Sequence, residues 1–286
     1  MITPPDRASD LAIAGRRVGW TEWGARDGAP VLFVTGAATS SSLGFGADAI
    51  RALGLRLICV DRAGLGRSAP DPAKSFASYA RDVAAVIDAL ALGRPPVVAV
   101  SQGAPFAVAL AGAGLVSAIA IASGQDELAH PRLRAALIPD VAAMIDAIAA
   151  DADGFARTFA TRVDAEGMWA LVMAMSGPED QAIYGAPEFA GPYRAALREG
   201  FAQGPDGYVR DLVLALGRWP TPPEAIEVPV HLWYGLRDTS PVHSPDFGAT
   251  LATRFPRATR HALADEGGAL LWTRSRELLT ALVAAV

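Results

Sequence analysis

The sequence predicts an α/β fold, in which helices flank a mostly parallel central sheet and a block of helices interrupts the pattern. Three observations support this fold class. Short apolar strands alternate with helix-compatible segments over residues 31–122. Over residues 124–219 the periodic segments are helical only. A strand followed by a helix then resumes near residue 228 and repeats toward residue 286.

Composition bounds the architecture and the partners. The 286 residues are 51% hydrophobic and 19% charged, which predicts one large domain, or one domain with an insertion, around a sizeable core. A net charge of −5 gives no basic surface for nucleic acid or for an anionic membrane. The single cysteine, Cys59, excludes an internal disulfide and is expected to be a buried, inert thiol. The composition leaves a monomer and a homodimer equally open.

Residues 1–10 lack the basic-then-apolar pattern of a signal peptide, so we expect a cytoplasmic protein. The apolar run over residues 106–122 approaches the length of a membrane span. Gly112 and Gly114 divide this run into a helix and a following strand, so no membrane partner is expected.

The predicted elements follow from period and from turn residues. A hairpin is predicted over residues 11–24, around Gly15. Further strands are predicted over residues 31–35, 55–60, 97–100, 116–122, 228–234 and 258–264, and helices over 78–92, 106–113, 132–150, 154–161, 167–175, 192–203, 208–216, 245–255 and 273–286. In the helical block, Phe155, Met168, Trp169, Met173 and Phe201 are expected to be core residues more often than substrate contacts.

One stretch organises the chemistry. The strand Val97–Val100 runs directly into Ser101, and a helix-compatible run begins at Phe106. Small residues, Ala99 and Gly103, stand two places either side of the serine. Only small side chains let a strand turn this sharply into a helix, so the pattern predicts a nucleophile elbow. Taken alone, a buried strand followed by a serine helix cap fits the same residues.

Two glycine-containing loops need separate interpretations. Residues 36–42 follow an apolar strand and form either a functional loop or an ordinary flexible connection. Gly64 and Gly66 resemble a phosphate-binding loop, but the Gly-Lys-Ser/Thr that would complete it is absent, so residues 61–68 predict a structural turn. We find no motif for a metal or a cofactor and expect neither.

These landmarks together resemble the α/β-hydrolase family of esterases, epoxide hydrolases and aminopeptidases. They are the strand and glycine of residues 31–36, the Asp-Arg-x-Gly-x-Gly-x-Ser run of residues 61–68, the Ser101 elbow and Gly235-x-x-Asp238 after a late strand. The resemblance covers nearly the whole chain outside the helical block. It implies a hydrolase core made of residues 1–123 and 220–286, with residues 124–219 inserted as a helical lid (cap).

The resemblance also implies roles for particular residues. Ser101 would be the nucleophile and Asp238 the triad acid. The backbone N–H groups of Ala37 and Gln102 would form the oxyanion hole. Thr35-Gly36 stands where relatives commonly have His-Gly, which alters the support beneath this hole but not its number of donors. For Asp238, a purely structural Asx-turn is the alternative.

The triad histidine is the departure from the family pattern. In relatives it follows the last strand, and the matching position here is Gly268. A serine without a base is a poor nucleophile, so the sequence indicates an incomplete catalytic triad. Three residues are candidate substitutes for the base: His243, five residues after Asp238; His130, near the start of the lid; and Glu266, a weak base.

Three more side chains are expected to lie outside the site. His261 is expected to be packed within the last strand, and His231 to lie at the end of its strand that faces away from the site. Asp126, where some relatives carry the acid, is expected to be a cap or turn residue.

Three functions remain open at this point. The first is hydrolysis of a small, apolar to moderately polar carbonyl substrate (an ester, lactone or amide) through Ser101, with the base missing or displaced. The second is non-hydrolytic cyclase, lyase or isomerase chemistry of secondary metabolism in the same pocket. The third is a non-catalytic protein that binds a ligand in the pocket of a former hydrolase.

Overall fold

The central sheet has eight strands in the order β1-β2-β4-β3-β5-β6-β7-β8, in a computed structural model that describes residues 2–286. The strands are β1 (Arg7–Ile13), β2 (Arg16–Gly24), β3 (Ala29–Val34), β4 (Leu55–Val60), β5 (Val97–Val100), β6 (Ile119–Ala122), β7 (Val230–Gly235) and β8 (Ala258–Leu263). Strand β2 pairs antiparallel with β1 and β4, and all other neighbours pair in parallel. The carboxyl ends of β3 to β8 therefore meet at one edge, here called the carboxyl edge.

Helices cover both faces of this sheet. They are α1 (Ala47–Ala52), α2 (Phe76–Ala89), α3 (Ala104–Gly112), α10 (Ala249–Arg254), α11 (Leu270–Thr273) and α12 (Ser275–Val283). Phe76 of α2, Phe106 of α3 and Leu251 of α10 belong to one buried cluster on one face. Ile50 of α1 and Leu278 of α12 belong to a second cluster on the opposite face. The sheet is thus buried on both sides, as its continuous apolar strands require.

Between β6 and β7 the chain forms six α-helices and no strand, and these helices occupy residues 139–216 of the helical block. Its helices are α4 (Pro139–Ala150), α5 (Ala152–Ala160), α6 (Ala165–Met175), α7 (Pro178–Tyr184), α8 (Pro187–Gly200) and α9 (Asp206–Leu216). A third hydrophobic cluster contains Ile145, Met168 and Leu212 of these helices and joins them to Ala38 and Leu65 of the core. Met168 is the predicted core residue that also faces the pocket described below.

The predicted mostly parallel sheet with flanking helices is confirmed. Three α-helices were not predicted, α1, α7 and α11, and all three are short. The helix predicted over residues 245–255 is shorter, because residues 245–248 form turns and α10 begins at Ala249. Cys59 is a buried free thiol, as expected, and burial raises its pKa well above the usual value. Within residues 2–286, no helix combines the length and the apolar character needed to cross a lipid bilayer.

Candidate active site

Ser101 sits in the strained turn that the sequence predicts. Its φ is 50°, in the left-handed region that a non-glycine residue rarely adopts. The surrounding space explains the small neighbours. A Cβ on Gly103 would lie 2.5 Å from the carbonyl oxygen of Val34, and one on Gly36 would lie 3.4 Å from the Cβ of Ser101. The turn therefore lifts the serine hydroxyl out of the sheet at the carboxyl edge.

A histidine contacts this serine. The imidazole of His243 lies between Ser101 and Asp238, with Nε2 2.9 Å from Ser101 Oγ and Nδ1 2.7 Å from Asp238 Oδ2. The Asp238 carboxylate is an acceptor, so His243 donates from Nδ1, and in the neutral ring Nε2 is free to accept the serine hydroxyl proton. The side chains of Asp238 and His243 are 4% and 13% exposed, so this chain of hydrogen bonds is largely shielded from water.

His243 corrects the interpretation of an incomplete triad. The residue at position 268 is glycine, but Ser101 does not lack a hydrogen-bonded imidazole. Asp238 and His243 both belong to the loop that follows β7, whereas the family resemblance pointed to the loop after β8. His243, one of the three candidates from the sequence, is the residue that the fold brings to the serine, because the turns of residues 239–248 direct the loop back over the end of β5.

The other residues considered as bases lie elsewhere. His130 Nδ1 accepts a hydrogen bond from the backbone N–H of Arg132. The carboxylate of Glu266 accepts hydrogen bonds from Thr273 Oγ1 and Arg274 Nε. His231 and His261 contact each other on the neighbouring strands β7 and β8, with Nδ1 and Nε2 3.2 Å apart. Of the side chains weighed for this role, the structure brings only His243 within hydrogen-bonding distance of Ser101 Oγ in the described residues.

The backbone N–H groups of Ala37 and Gln102 flank Ser101, and neither is used in the loop hydrogen bonds of residues 2–286. The support of the first loop comes from Arg62. Its guanidinium, 1% exposed, donates to the carbonyl oxygens of Thr35 and Gly36 at 2.8 and 2.7 Å. Arg62 is held in turn by Asp211 of α9. These contacts fix the peptide that precedes Ala37, and sequence reasoning missed them because the three segments meet only in the fold.

A pocket opens above Ser101, between the carboxyl edge and the helical block. It encloses about 1060 Å³ of empty space, counting its open mouth. Most of the side chains around it are apolar, among them Met144, Phe159, Met168, Leu171, Val172 and Trp272. Asp180, Asp238 and His243 are the ionisable groups of the lining apart from three tyrosines, and no arginine or lysine lines it among the described residues. The pocket thus suits a mainly apolar molecule without a negative charge.

Gly268 lies close to Asp238 but carries no side chain to engage it. A Cβ at this position would be 3.0 Å from Asp238 Oδ1. The backbone N–H groups of Gly268 and Ala269 donate instead to the carboxylate of Asp180 on α7, at 2.7 and 2.9 Å. Burial, with a smaller contribution from Asp238, raises the pKa of Asp180 above its usual range. Asp180 was not singled out from the sequence, because α7 has no clear periodic signal.

Comparisons with known proteins agree with the fold. A family model described as alpha/beta hydrolase fold matches residues 29–165. A hydrolase from Pseudomonas aeruginosa has 18% identity and a TM-score of 0.70, over 98% of this chain and 99% of that one. An esterase from Rhodococcus has 18% identity and a TM-score of 0.68, over 98% and 99%. An enol-lactonase from Burkholderia xenovorans has 17% identity and a TM-score of 0.68, over 96% and 98%.

No curated protein sequence matches the chain. The eight-stranded sheet and the solved structures show that this chain has the α/β-hydrolase fold, and the family model matches residues 29–165 of it. Throughout residues 2–286, no group of three or more His, Cys, Asp or Glu side chains is arranged to hold a metal ion.

Proposed function

We propose that this protein hydrolyses a small, neutral carboxylic ester or lactone through a Ser101–His243–Asp238 triad. The observation that carries the proposal is the imidazole of His243, which hydrogen-bonds to Ser101 Oγ and Asp238 Oδ2 at once. A triad is recognised by this geometry and not by the order of its members along the chain.

The reaction has two halves. Ser101 Oγ attacks the carbonyl carbon while its proton passes to His243 Nε2, and the N–H groups of Ala37 and Gln102 bind the oxyanion that forms. The tetrahedral intermediate then collapses, the alkoxide oxygen leaves with the proton from Nε2, and an acyl-Ser101 ester remains. Water attacks this ester with His243 as the base, which releases the carboxylic acid and restores Ser101. Asp238 stabilises the imidazolium in both halves.

The pocket supports the neutral substrate. A carboxylate on the substrate would lose its hydration in an apolar pocket that offers no arginine or lysine and already contains Asp180 and Asp238. The helical block supplies most of the apolar lining, so we propose that residues 124–219 act as the lid that sets substrate size. The enol-lactonase and the esterase among the structural neighbours are consistent with this class of substrate.

A chromogenic ester series tests the proposal. Para-nitrophenyl acetate, butyrate and octanoate should all be turned over, and a fluorophosphonate probe should label Ser101, as intact-protein and peptide mass spectrometry would show. Ser101→Ala should lose both signals, and His243→Ala should lose nearly all turnover. His130→Ala is the matched control, since its imidazole lies outside the pocket, and it should keep wild-type rates. Absence of both labelling and turnover in the wild type would refute the proposal.

The non-hydrolytic and non-catalytic alternatives drew their support from a missing base. With His243 in contact with Ser101, that support is gone. No observation in the described structure favours either alternative over hydrolysis.

A further inference from the structure

The loop between β7 and α10 carries both Asp238 and His243, so its path decides where the imidazole stands. Immediately after His243, the backbone N–H of Ser244 donates to the carbonyl oxygen of Gly124 at 3.1 Å. The hydroxyl of Tyr234 donates to the same carbonyl at 3.1 Å. The segment that follows β6 therefore serves as the support against which the His243 loop rests.

The side chain of Ser244 adds three polar contacts to this backbone hydrogen bond. Its Oγ accepts the backbone N–H of Gly248 at 2.8 Å and lies 3.0 Å from both Asp126 Oδ2 and Asp246 Oδ1. A hydroxyl has one hydrogen, so it can donate to only one of these two carboxyl groups. The network is complete when the other carboxyl group is protonated and donates to Oγ.

Asp126 is the carboxyl group suited to hold that proton. It is fully buried, whereas Asp246 is partly exposed and also accepts the backbone N–H of Thr250. Burial raises the pKa of Asp126 to about 6. The charged and titratable groups that face it are Asp246, Arg254 of α10 and Tyr234 of β7. Its second oxygen, Oδ1, accepts the backbone N–H of Glu127 at 2.7 Å, which fixes the carboxyl plane.

We propose that Asp126 is a positioning residue for the base: it anchors the His243 loop through Ser244 and so holds the imidazole between Asp238 and Ser101. Asp126 does not line the pocket and touches none of the reacting groups. It acts on His243 through the adjacent residue of the chain. This inference rests on the proposed function, in which His243 is the base.

The anchor matters because the base stands on a loop. The twelve residues between Gly235 and Gly248 contain no helix or strand, so the helical and sheet hydrogen bonds that hold a regular element are missing there. Misplacement of a catalytic group by about 1 Å can cost roughly 10²-fold in rate. A buried hydrogen bond to the residue next to His243 limits such misplacement.

Three variants test the anchor by steady-state kinetics. Asp126→Ala and Ser244→Ala should each lower kcat by about 10–100-fold with a small change in KM, because substrate contacts are untouched. Asp126→Asn should stay within about 3-fold of the wild type, since its amide can donate to Ser244 Oγ and accept from Glu127 as the protonated acid does. The double variant Asp126→Ala/Ser244→Ala should be no slower than the slower single variant.

Asp246→Ala serves as the matched control. It removes the other carboxylate that contacts Ser244, and with it the acceptor for the Thr250 N–H, but it leaves the Asp126–Ser244 contact in place. It should lower kcat less than Asp126→Ala does. Equal losses in the two variants, or additive losses in the double variant, would overturn the anchor.

A second readout separates this inference from the proposed function. In proton NMR, the Nδ1–H that His243 shares with Asp238 should give a strongly downfield resonance in the wild type and in Asp126→Asn. In Asp126→Ala and Ser244→Ala it should broaden or vanish while thermal unfolding shows a folded protein. The resonance does not require turnover, so an inactive wild type would refute the hydrolase and leave the anchor testable. An unchanged resonance in both folded variants would overturn the anchor itself.

Discussion

Two loops leave neighbouring strands at the carboxyl edge, and only the first of them carries a side chain that contacts Ser101. The loop after β7 carries Asp238 and His243 and supplies the imidazole that contacts Ser101. The loop after β8 carries Gly268, whose backbone is held by Asp180 of the helical block. Both approach the same carboxylate: His243 bonds to Asp238 Oδ2, and Gly268 faces Oδ1.

This difference between the two loops shows that the presence of an imidazole beside Ser101 is one requirement, and the loop that carries it is another. The chemistry requires an imidazole that contacts both Asp238 and Ser101, and either loop is near enough to deliver it. When the first loop supplies the ring, the second is free to take another contact. Here that contact is with the helical block, because Asp180 accepts the N–H groups of Gly268 and Ala269.

Removal of the imidazole from the first loop should have the largest effect. His243→Ala should lower kcat by about 10⁴–10⁶-fold, because only the oxyanion hole and substrate binding then remain. Stopped assays with the best ester of the series measure this loss. A variant that keeps more than a tenth of the wild-type rate would show that the base lies elsewhere.

Moving the imidazole to the second loop sharpens the comparison. In the His243→Ala background, Gly268→His should recover about 10²-fold of the lost kcat, because its Cβ would lie beside Asp238 and its ring can turn toward Ser101. The φ of Gly268 is not positive, so histidine fits the backbone there. Gly268→Gln in the same background is the control, since it fills the space without a base. Equal rates in the two double variants would contradict the prediction.

The pH dependence of stability tests the buried support of the first loop. The pKa of Asp126 is about 6 in the folded protein, above its usual value of 3.8. The folded state therefore holds this proton more tightly than the unfolded state, and the free energy of unfolding falls as pH rises from 4 to 6. Asparagine does not titrate, so Asp126→Asn should gain about 2 kcal/mol relative to wild type between pH 4 and pH 8. Urea unfolding at both pH values measures the gain.

Asp246 gives the control of opposite sign. Burial alone would raise the pKa of Asp246, but hydrogen bonds from Thr250 and Ser244 outweigh it and leave the pKa lowered. Its contribution to stability is present above the unfolded pKa and is lost in acid. Asp246→Asn should therefore lose stability relative to wild type as pH rises from strong acid through the usual aspartate value of 3.8, and should differ little from wild type in slope above it. The same sign for both variants would contradict the assignment of the proton to Asp126.

The smallest expected effect concerns the second loop. Asp180→Ala leaves the buried N–H groups of Gly268 and Ala269 without an acceptor, which should lower the free energy of unfolding by about 1–3 kcal/mol. Arg237→Ala is the control, because its ion pairs with Glu179 and Asp265 cross the same contact on an exposed surface and should contribute about 0.5 kcal/mol or less. Chemical unfolding measures the free energy of unfolding of both variants. Equal losses would show that the buried Asp180 contact does not hold the second loop more strongly than the exposed ion pairs do.

More of the fold than of the site could be predicted from the sequence. Strand β4 was predicted to the residue, because apolar runs bounded by turns have a local signature. The Ser101 elbow was found for the same reason, since Ala99 and Gly103 are its neighbours in sequence. From the sequence, His243 was only one of three candidate bases, because a histidine five residues after an aspartate in a loop matches no periodic or motif pattern. Asp180 escaped because its partners, Gly268 and Ala269, are far away along the chain.

Because Asp238 and His243 lie on one loop, the residues that follow this loop differ in role from those before it. Every side chain proposed to act on substrate precedes residue 244. The last strand and the helices α11 and α12 then contribute shape and burial but no reacting group. Residues 258–286 therefore support the site through the pairing of β8 with β7 and the packing of Leu278 on the sheet, and substitutions there should alter stability before they alter the proposed chemistry.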